Sequence, residues 1–166
     1  RTAMRVISNA SPLINLARIG HLSLLRQLYG QIVIPSAVWQ EVVIGGSGRP
    51  GAADVESATW ITCENVANTG LVRALRQDLD AGEAEAIALA LETETDLLLM
   101  DERIGRETAH HLGLRYIGLV GILVEAKRRR LLTAVSPVLN ALREQAGFRL
   151  DDALYARIRA DEQEED

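Results

Sequence analysis

The sequence has one cysteine, Cys63, and no apolar run long enough to cross a bilayer. A single cysteine excludes an internal disulfide and any zinc site built on several cysteines. The apolar neighbours of Cys63 predict a buried structural thiol rather than a nucleophile. No charged segment followed by an apolar stretch and a cleavage site is present. We therefore expect a cytoplasmic protein with no membrane partner.

Two glycine-rich signatures of nucleotide binding are also missing. The segment 44–51 holds four glycines and a proline, but it lacks the Gly-Lys-Ser/Thr ending of a phosphate-binding loop. No Gly-x-Gly-x-x-Gly pattern follows a predicted strand. The sequence therefore argues against a doubly wound nucleotide-binding protein, and it predicts a flexible loop at 44–51.

Charge is distributed unevenly along the chain. The stretch from Asp151 to the end holds seven acidic residues and two arginines, which accounts for the whole net charge of −5. This pattern predicts a domain at 4–150 and an acidic C-terminal tail at 151–166. The tail has a weak helical pattern around Leu154 and Ile158, followed by a solvated end. Residues 1–3 precede Met4 and resemble an expression scar.

Short apolar runs alternate with helical patterns over the first 150 residues. The apolar fraction of 48% and the length of 166 residues suit one folded domain. Alternating strands and helices predict a single α/β domain with three layers, in which helices flank a parallel sheet. The predicted strands are Arg5–Ser8, Gln31–Ile34, Trp60–Cys63, Leu97–Met100 and Leu114–Ile117.

Polar side chains recur where the strands of such a sheet end. Ligands bind parallel sheets at the carboxyl ends of strands, where the connections diverge. Carboxylate and amide oxygens gathered there suit Mg²⁺ or Mn²⁺, which favours phosphoryl chemistry over zinc hydrolysis. The candidates are Asn9 and Ser11 after the first strand, Glu41 in the helix after the second, Glu83 and Glu85 at a helix start, and Asp101 after Leu97–Met100.

Each of these acids also has a simpler structural interpretation. Asp101 can cap the helix that follows it. Glu83 can complete a capping box with Asp80, because the two have the required spacing. Glu41 and Glu85 can be ordinary solvated helix residues, and Glu85 lies about 200° around the helix from Glu83. Taken singly, the residues leave both interpretations open.

Four segments together resemble the PIN-domain family over about Val6 to Phe148. None is specific alone, but their order and spacing are typical of the family. The resemblance is to a prokaryotic subgroup described as predicted nucleic-acid-binding proteins. The segments are Ile7-Ser-Asn-Ala-Ser-Pro-Leu-Ile14, Ile34-Pro-Ser-Ala-Val-Trp-Gln-Glu-Val42, Leu79-Asp-Ala-Gly-Glu-Ala-Glu-Ala-Ile87 and Leu97-Leu-Leu-Met-Asp-Glu-Arg103.

The resemblance implies a Rossmann-like parallel sheet and a Mg²⁺- or Mn²⁺-dependent ribonuclease, and many similar proteins are toxins of prokaryotic toxin–antitoxin pairs. The family's acids fall on Glu41, on Asp101, and on either Glu83 or Glu85, of which we favour Glu83. The small hydroxyl residue falls on Ser11, as a hydrogen-bonding partner of a metal ligand. The implied partners are RNA, an antitoxin protein and a second copy of the chain.

One position departs from the family pattern. PIN nucleases typically have an aspartate after the first strand, where this chain has Asn9. An amide oxygen can bind a hard cation, but it brings no negative charge. We therefore expect weakened metal binding, for which Glu102 partly compensates. The alternative to a nuclease is a PIN-fold module that binds protein or RNA and has lost catalysis.

Arginines near the expected cleft are candidates for binding substrate phosphate. Arg103 and Arg106 lie at the start of the helix after Asp101. The same positions are also compatible with a solvated helix face that includes Glu102 and Glu107. Residues 127–130 form the only basic run, at a helix end where cations are favourable in any case.

Overall fold

A computed structural model describes residues 4–164, so the predicted expression scar at 1–3 lies outside the described residues. Five strands form one sheet in the order β3-β2-β1-β4-β5, and every neighbouring pair is parallel. This arrangement confirms the predicted α/β domain. The strands are β1 (Val6–Ser8), β2 (Ile32–Pro35), β3 (Ile61–Glu64), β4 (Leu97–Leu99) and β5 (Tyr116–Ile117).

Helices connect the strands and cover both faces of the sheet. Each crossover between parallel strands needs such a connection, because the chain must return to the same end of the sheet. The helices are α1 (Ala10–Arg18), α2 (Ser23–Tyr29), α3 (Ser36–Trp39), α4 (Ala52–Ser57), α5 (Thr69–Leu75), α6 (Ala81–Glu92), α7 (Arg103–His111), α8 (Leu119–Arg128), α9 (Ser136–Gln145) and α10 (Asp152–Asp161).

The core has two parts, one on each face of the sheet. Successive side chains of a strand point to opposite faces, so Leu97 and Leu99 belong to one part and Leu98 to the other. The first part lies under α1, α2, α8 and α9, and the second lies mainly under α6. Burial on both faces explains the unbroken apolar sequence of β4.

The strand order reverses next to β1. The chain passes from β1 outward to β2 and β3, and it then returns to the other side of β1 to form β4 and β5. Connections leave β1 and β4 in opposite directions, and a crevice opens between them at their carboxyl ends. Asn9 follows β1 and Asp101 closely follows β4, so this switch point brings two of the predicted site residues to one edge.

The helix after β2, in which the sequence places Glu41, is not regular throughout. Its first turn, α3, is α-helical, but residues Gln40–Ile44 form a π-helical turn. Gly45 N–H donates to the Gln40 carbonyl at 2.6 Å. A Cβ on Gly46 would lie only 2.3 Å from the Val42 carbonyl oxygen. Glycine is therefore needed where this wide turn ends.

The prediction of a buried thiol at Cys63 is wrong. Cys63 is exposed because it lies on β3, the edge strand of the sheet, where covering helices are sparse. Burial still raises the pKa of the thiol, and the charges of Glu85 and Glu64 raise it further. The side chain therefore has none of the electropositive surroundings that activate a cysteine.

Within the acidic segment predicted to be a tail, Ile158 and Glu164 pack against the domain, while most of the other residues described there are exposed. Residues 152–161 form α10, whose Ile158 belongs to the core. The side chain of Glu164 is only 10% exposed. It accepts hydrogen bonds from the backbone N–H groups of Val135 and Ser136, both at 2.8 Å, and pairs with Lys127. Glu164 thus caps α9 instead of lying in solvent.

None of the helices in the described part of the chain combines the length and the apolar character that a membrane span requires.

Candidate metal centre

Asn9 lies at the end of β1 and is 4% exposed. Its backbone N–H donates to the Leu99 carbonyl at 3.0 Å, which joins β1 to β4 beyond the regular ladder. Its side-chain nitrogen donates to Met100 Sδ at 3.7 Å. With the nitrogen held on Met100, the amide oxygen is turned toward α6.

Gly82, on the first turn of α6, is the residue that Asn9 and Glu41 approach together. A Cβ on Gly82 would lie 3.2 Å from Asn9 Oδ1 and 3.4 Å from Glu41 Oε1. Two oxygens of the kind that bind hard cations therefore approach the same point beside Gly82, where a larger residue would crowd them. Sequence reasoning missed Gly82. The available signal was a glycine inside a helix start, where it lowers helix stability and indicates a close approach.

Glu41 is carried by the π-helical turn after α3. Such turns are rare and are frequent at functional sites, because the extra residue changes the direction of the side chains that follow. Burial raises the pKa of the Glu41 carboxyl, and the nearby charges of Asp80 and Glu102 raise it further. The three acids therefore repel one another electrostatically.

Glu83 forms the predicted capping box with Asp80. Glu83 Oε1 accepts from the Asp80 N–H at 3.0 Å, and Asp80 Oδ1 accepts from the Glu83 N–H at 2.8 Å. Glu83 is only 6% exposed. Burial raises the pKa of its carboxyl, the hydrogen bond from Asp80 lowers it, and the charges of Asp80 and Glu102 raise it. The structural interpretation of Glu83 thus holds, while Oε2 makes no hydrogen bond to any described residue.

Glu85 faces a different part of the molecule. Its Oε1 accepts from the Ala37 N–H at 3.0 Å and from Ser36 Oγ at 3.3 Å. Those groups form the start of α3, where a carboxylate satisfies otherwise unpaired N–H groups. Glu85 is therefore held against α3, away from the gap beside Gly82.

Asp101 lies mostly buried at the crevice between β1 and β4. Its Oδ1 accepts from the Leu119 N–H at the start of α8, at 2.7 Å. Its Oδ2 is buried and has no hydrogen-bond partner among the described residues. Burial raises the pKa of Asp101, while the bond from Leu119 and the charge of Arg106 lower it. An unpaired buried carboxylate oxygen is costly and indicates a place for an ion or a substrate group.

A cavity of about 240 Å³ opens beside Asn9 and Glu41. Asp80 and Glu102 also line it, and sequence reasoning had assigned these two acids to the surface or to helix caps. Glu102 is exposed and lies next to Glu83 and Asp101 as well, in the neighbouring cavities. Its central position supports the expectation that it adds charge where Asn9 brings none.

The donor set suits a hard cation, but the carboxylates do not yet surround one point. Within residues 4–164, no three His, Cys, Asp or Glu side chains lie close enough together to hold one ion. Asn9 and Glu41 converge, Asp101 keeps one unpaired oxygen, and Glu83 keeps Oε2 free of described partners. Mg²⁺ usually keeps several water ligands and binds through only one or two carboxylates, so these oxygens fit a hard cation without a three-acid cluster.

A comparison with protein families matches the PIN domain over residues 5–164. The chain belongs to the PIN-domain family. The match continues through α10. PIN domains are in general nucleases that act on nucleic acid with divalent metals, so this PIN domain has a nuclease-type fold. A comparison with curated proteins found no match.

Ser11 lies one helical turn from Asn15 on α1 of the PIN domain. Asn15 Nδ2 donates to Ser11 Oγ at 3.1 Å. Ser11 lines both the cavity beside Glu41 and the cleft beside Asp101. In this structure the hydroxyl contacts Asn15 rather than an acid, so its role toward a metal ligand stays a prediction.

The two arginines predicted to bind phosphate differ in their surroundings. Arg103 is 74% exposed and pairs with Glu107 at 2.9 Å along its own helix, as in the solvated-face interpretation. Arg106 is half-buried, and its charge acts on Asp101. Its Nη1 lies 3.4 Å from the position of a Cβ on Gly118. Arg106 is thus the better placed of the two to reach a phosphate beside Asp101.

The basic run at 127–130 is largely paired within the PIN domain. Lys127 pairs with Glu164 at 2.6 Å, and Arg129 pairs with Glu125 at 2.9 Å. Arg128 lies 3.5 Å from Glu162. These contacts give the run a structural role at the end of α8.

Proposed function

We propose that this PIN domain is an endoribonuclease that depends on Mg²⁺ or Mn²⁺ and uses Asn9, Glu41, Glu83 and Asp101 as metal ligands. The observation that carries the proposal is the convergence of Asn9 Oδ1 and Glu41 Oε1 on the gap beside Gly82. Asn9 and Asp101 follow β1 and β4, the neighbouring strands on either side of the switch point of the sheet. The unpaired Asp101 Oδ2 gives independent support.

Asn9, Glu41, Glu83 and Asp101 would hold the cation, which would supply water activation and neutralisation of charge on a phosphodiester. The side chains of the PIN domain contribute the rest. Burial and acidic neighbours raise the pKa of Glu41, and the charge of a bound cation would offset that effect. Arg106 is suited to hold a phosphate oxygen beside Asp101. Mutual repulsion of the acids favours the metal-bound state.

Metal titration of wild-type protein and of Asp101→Asn tests the proposal. Wild-type protein is expected to bind Mn²⁺ and to cleave single-stranded RNA only with the metal, and Asp101→Asn is expected to lose cleavage. Glu94→Gln is the matched control, because Glu94 is an exposed acid that precedes β4 at the other edge of the sheet. Cleavage that survives in Asp101→Asn, or is lost equally in Glu94→Gln, contradicts the assignment.

A second candidate function is a PIN-fold module that binds protein or RNA without cutting. The amide at Asn9 favours it, because the site has one charge fewer than the family pattern. Asn9→Asp separates the two. If Asn9 is a ligand, the substitution tightens Mn²⁺ binding and raises cleavage. Unchanged affinity places Asn9 outside the metal site.

We also propose, from the family resemblance, that the nuclease is the cytoplasmic toxin of a toxin–antitoxin pair and that it forms a homodimer. Expression of the wild-type chain in bacteria is then expected to arrest growth, and Asp101→Asn is expected to relieve the arrest. Light scattering gives the oligomeric state. If the bacteria keep growing although the protein cleaves RNA in vitro, the toxin role is contradicted but the nuclease activity is not.

A further inference from the structure

A cleft of about 700 Å³ extends from Asp101 to the segment 146–150, which follows α9. The side chains that line this cleft have a net positive charge, whereas those that line the small cavity beside Glu41 have a net negative charge. The cleft is lined by four arginines and two acids, which are Arg18, Arg103, Arg106, Arg149, Asp101 and Glu102. A positive cleft beside an acidic centre is the arrangement expected when a polyanion must approach carboxylates.

The arginines of the cleft are not equivalent. Arg103 pairs with Glu107, and Arg106 lies beside Asp101. Arg18 and Arg149 are exposed, and neither has a carboxylate partner within residues 4–164. Their charges are therefore available to a ligand.

Arg18 lies between the small cavity beside Glu41 and the larger cleft. It lines both the cavity beside Glu41 and the larger cleft. Its Nη1 donates to the Ala146 carbonyl at 3.1 Å, which fastens the segment 146–150 to α1. One guanidinium nitrogen is used in this bond, and the planar group keeps further N–H donors for a phosphate.

The chain after α9 places an aromatic ring beside Arg149. Gly147 has a φ of +69°, and Phe148 N–H donates to the Leu142 carbonyl at 2.9 Å, so the helix ends in a tight left-handed turn. This turn brings Phe148 into the wall of the cleft. The ring is half-buried, with one part packed on the core. Phe148 is also the only phenylalanine in the chain.

We propose that Arg18, Phe148 and Arg149 bind an unpaired nucleotide of a single-stranded RNA next to the phosphate that is cut. The arginines hold phosphates on either side, and the exposed part of the Phe148 ring stacks on the base. Bases in a duplex are already stacked on both faces, so only an unpaired base can use the ring. The choice of RNA as the ligand rests on the proposed function. The evidence for the binding surface is the set of residues that line the cleft.

Anisotropy of a fluorescein-labelled single-stranded RNA, measured in EDTA to prevent cleavage, tests the proposal. Arg149→Glu is expected to weaken binding about tenfold and to lower the slope of log K against log salt by roughly 0.7. Phe148→Leu keeps apolar packing but removes the ring, and a loss of about tenfold is expected. Arg73→Glu, an exposed arginine on α5, is the charge-matched control and is expected to lose at most twofold.

The outcomes separate this proposal from the nuclease assignment. Weaker binding by Arg149→Glu and Phe148→Leu supports the surface even if no metal-dependent cleavage is found. Unchanged affinity in both variants, with thermal unfolding as in wild type, overturns it even if wild-type protein cuts RNA. Equal binding of duplex RNA, or of an oligoglutamate peptide of the same charge, also overturns it. If single-stranded DNA binds as tightly as single-stranded RNA, the surface is still supported, and its ligands are the phosphates and bases that both share.

Discussion

The position of a Cβ on Gly82 lies 3.2 Å from Asn9 Oδ1 and nearly as close to Glu41 Oε1. Gly82→Ala therefore places a methyl group where the two ligands meet. We expect Mn²⁺ affinity to fall at least tenfold, while the unfolding temperature does not fall, because alanine is about 1 kcal/mol better than glycine in a helix. Calorimetric titration and thermal unfolding measure the two effects. Wild-type Mn²⁺ affinity in Gly82→Ala would place the metal elsewhere.

The pair Glu83 and Glu85 allows a test by opposite effects. Glu83→Gln keeps an oxygen for the Asp80 N–H, since glutamine also completes a capping box, but it removes the charge offered to a metal. We expect lost Mn²⁺ binding with little change in stability. Glu85→Ala removes the acceptor at the start of α3 and is expected to cost about 1 kcal/mol of unfolding free energy without loss of metal binding. The reverse pattern would make Glu85 the ligand.

The contact between Glu164 and the start of α9 predicts a specific dependence on pH. Burial raises the pKa of Glu164, but hydrogen bonds from Lys127, Ser136 and the backbone outweigh it and bring the pKa to about 2, below the ordinary value of 4.5. Because the pKa of Glu164 is lower in the folded state than in the unfolded state, its carboxylate stabilises the folded state at pH values above about 4.5. This stabilisation is lost as the pH falls from about 4.5 to about 2.

Glu164→Gln is therefore expected to lower the free energy of unfolding at pH 7 by on the order of 2 kcal/mol and to change little at pH 2. Urea unfolding at several pH values measures the difference. Glu125→Gln serves as the control, because its partly exposed pair with Arg129 is worth only about 0.3–0.5 kcal/mol. An equal loss at both pH values would show that the carboxylate charge is not involved.

The end of the π-helical turn predicts a glycine requirement. Gly46→Ala would bring a Cβ to 2.3 Å from the Val42 carbonyl oxygen, so the turn must open. We expect a loss of about 1–3 kcal/mol in unfolding free energy, with weaker Mn²⁺ binding because Glu41 lies on the turn. Gly70→Ala is the control, since its nearest contact is Asn68 Oδ1 at 3.6 Å. Equal stability of Gly46→Ala and Gly70→Ala would contradict the account.

Elements whose causes are local were predictable from the sequence. The unbroken apolar run of β4 predicts a strand buried on both faces, and the spacing of Asp80 and Glu83 predicts the capping box that the structure contains. Alternation of strands and helices predicts the parallel sheet. The position of Asn9 and Asp101 at one edge follows from that topology.

Features that depend on distant contacts were not predictable. The family pattern fits Glu83 or Glu85, and only the packing of α6 against α3 shows that Glu85 binds the Ala37 N–H. The exposure of Cys63 depends on β3 being an edge strand, which the residues around it do not show. Composition shows an acidic end, whereas the bond of Glu164 to Ser136 depends on how α10 folds back.

The turn at Gly147 has a consequence for how such a nuclease changes its target. Phe148 and Arg149 lie outside the sheet, in the segment that the bond from Arg18 to the Ala146 carbonyl joins to α1. The acids instead follow strands or lie on helices packed against the core. If the proposed function and binding surface hold, substitutions after α9 are expected to change which RNA is bound without changing the acids at the sheet edge. Preference for a target and the capacity to cut would then be inherited as separate traits.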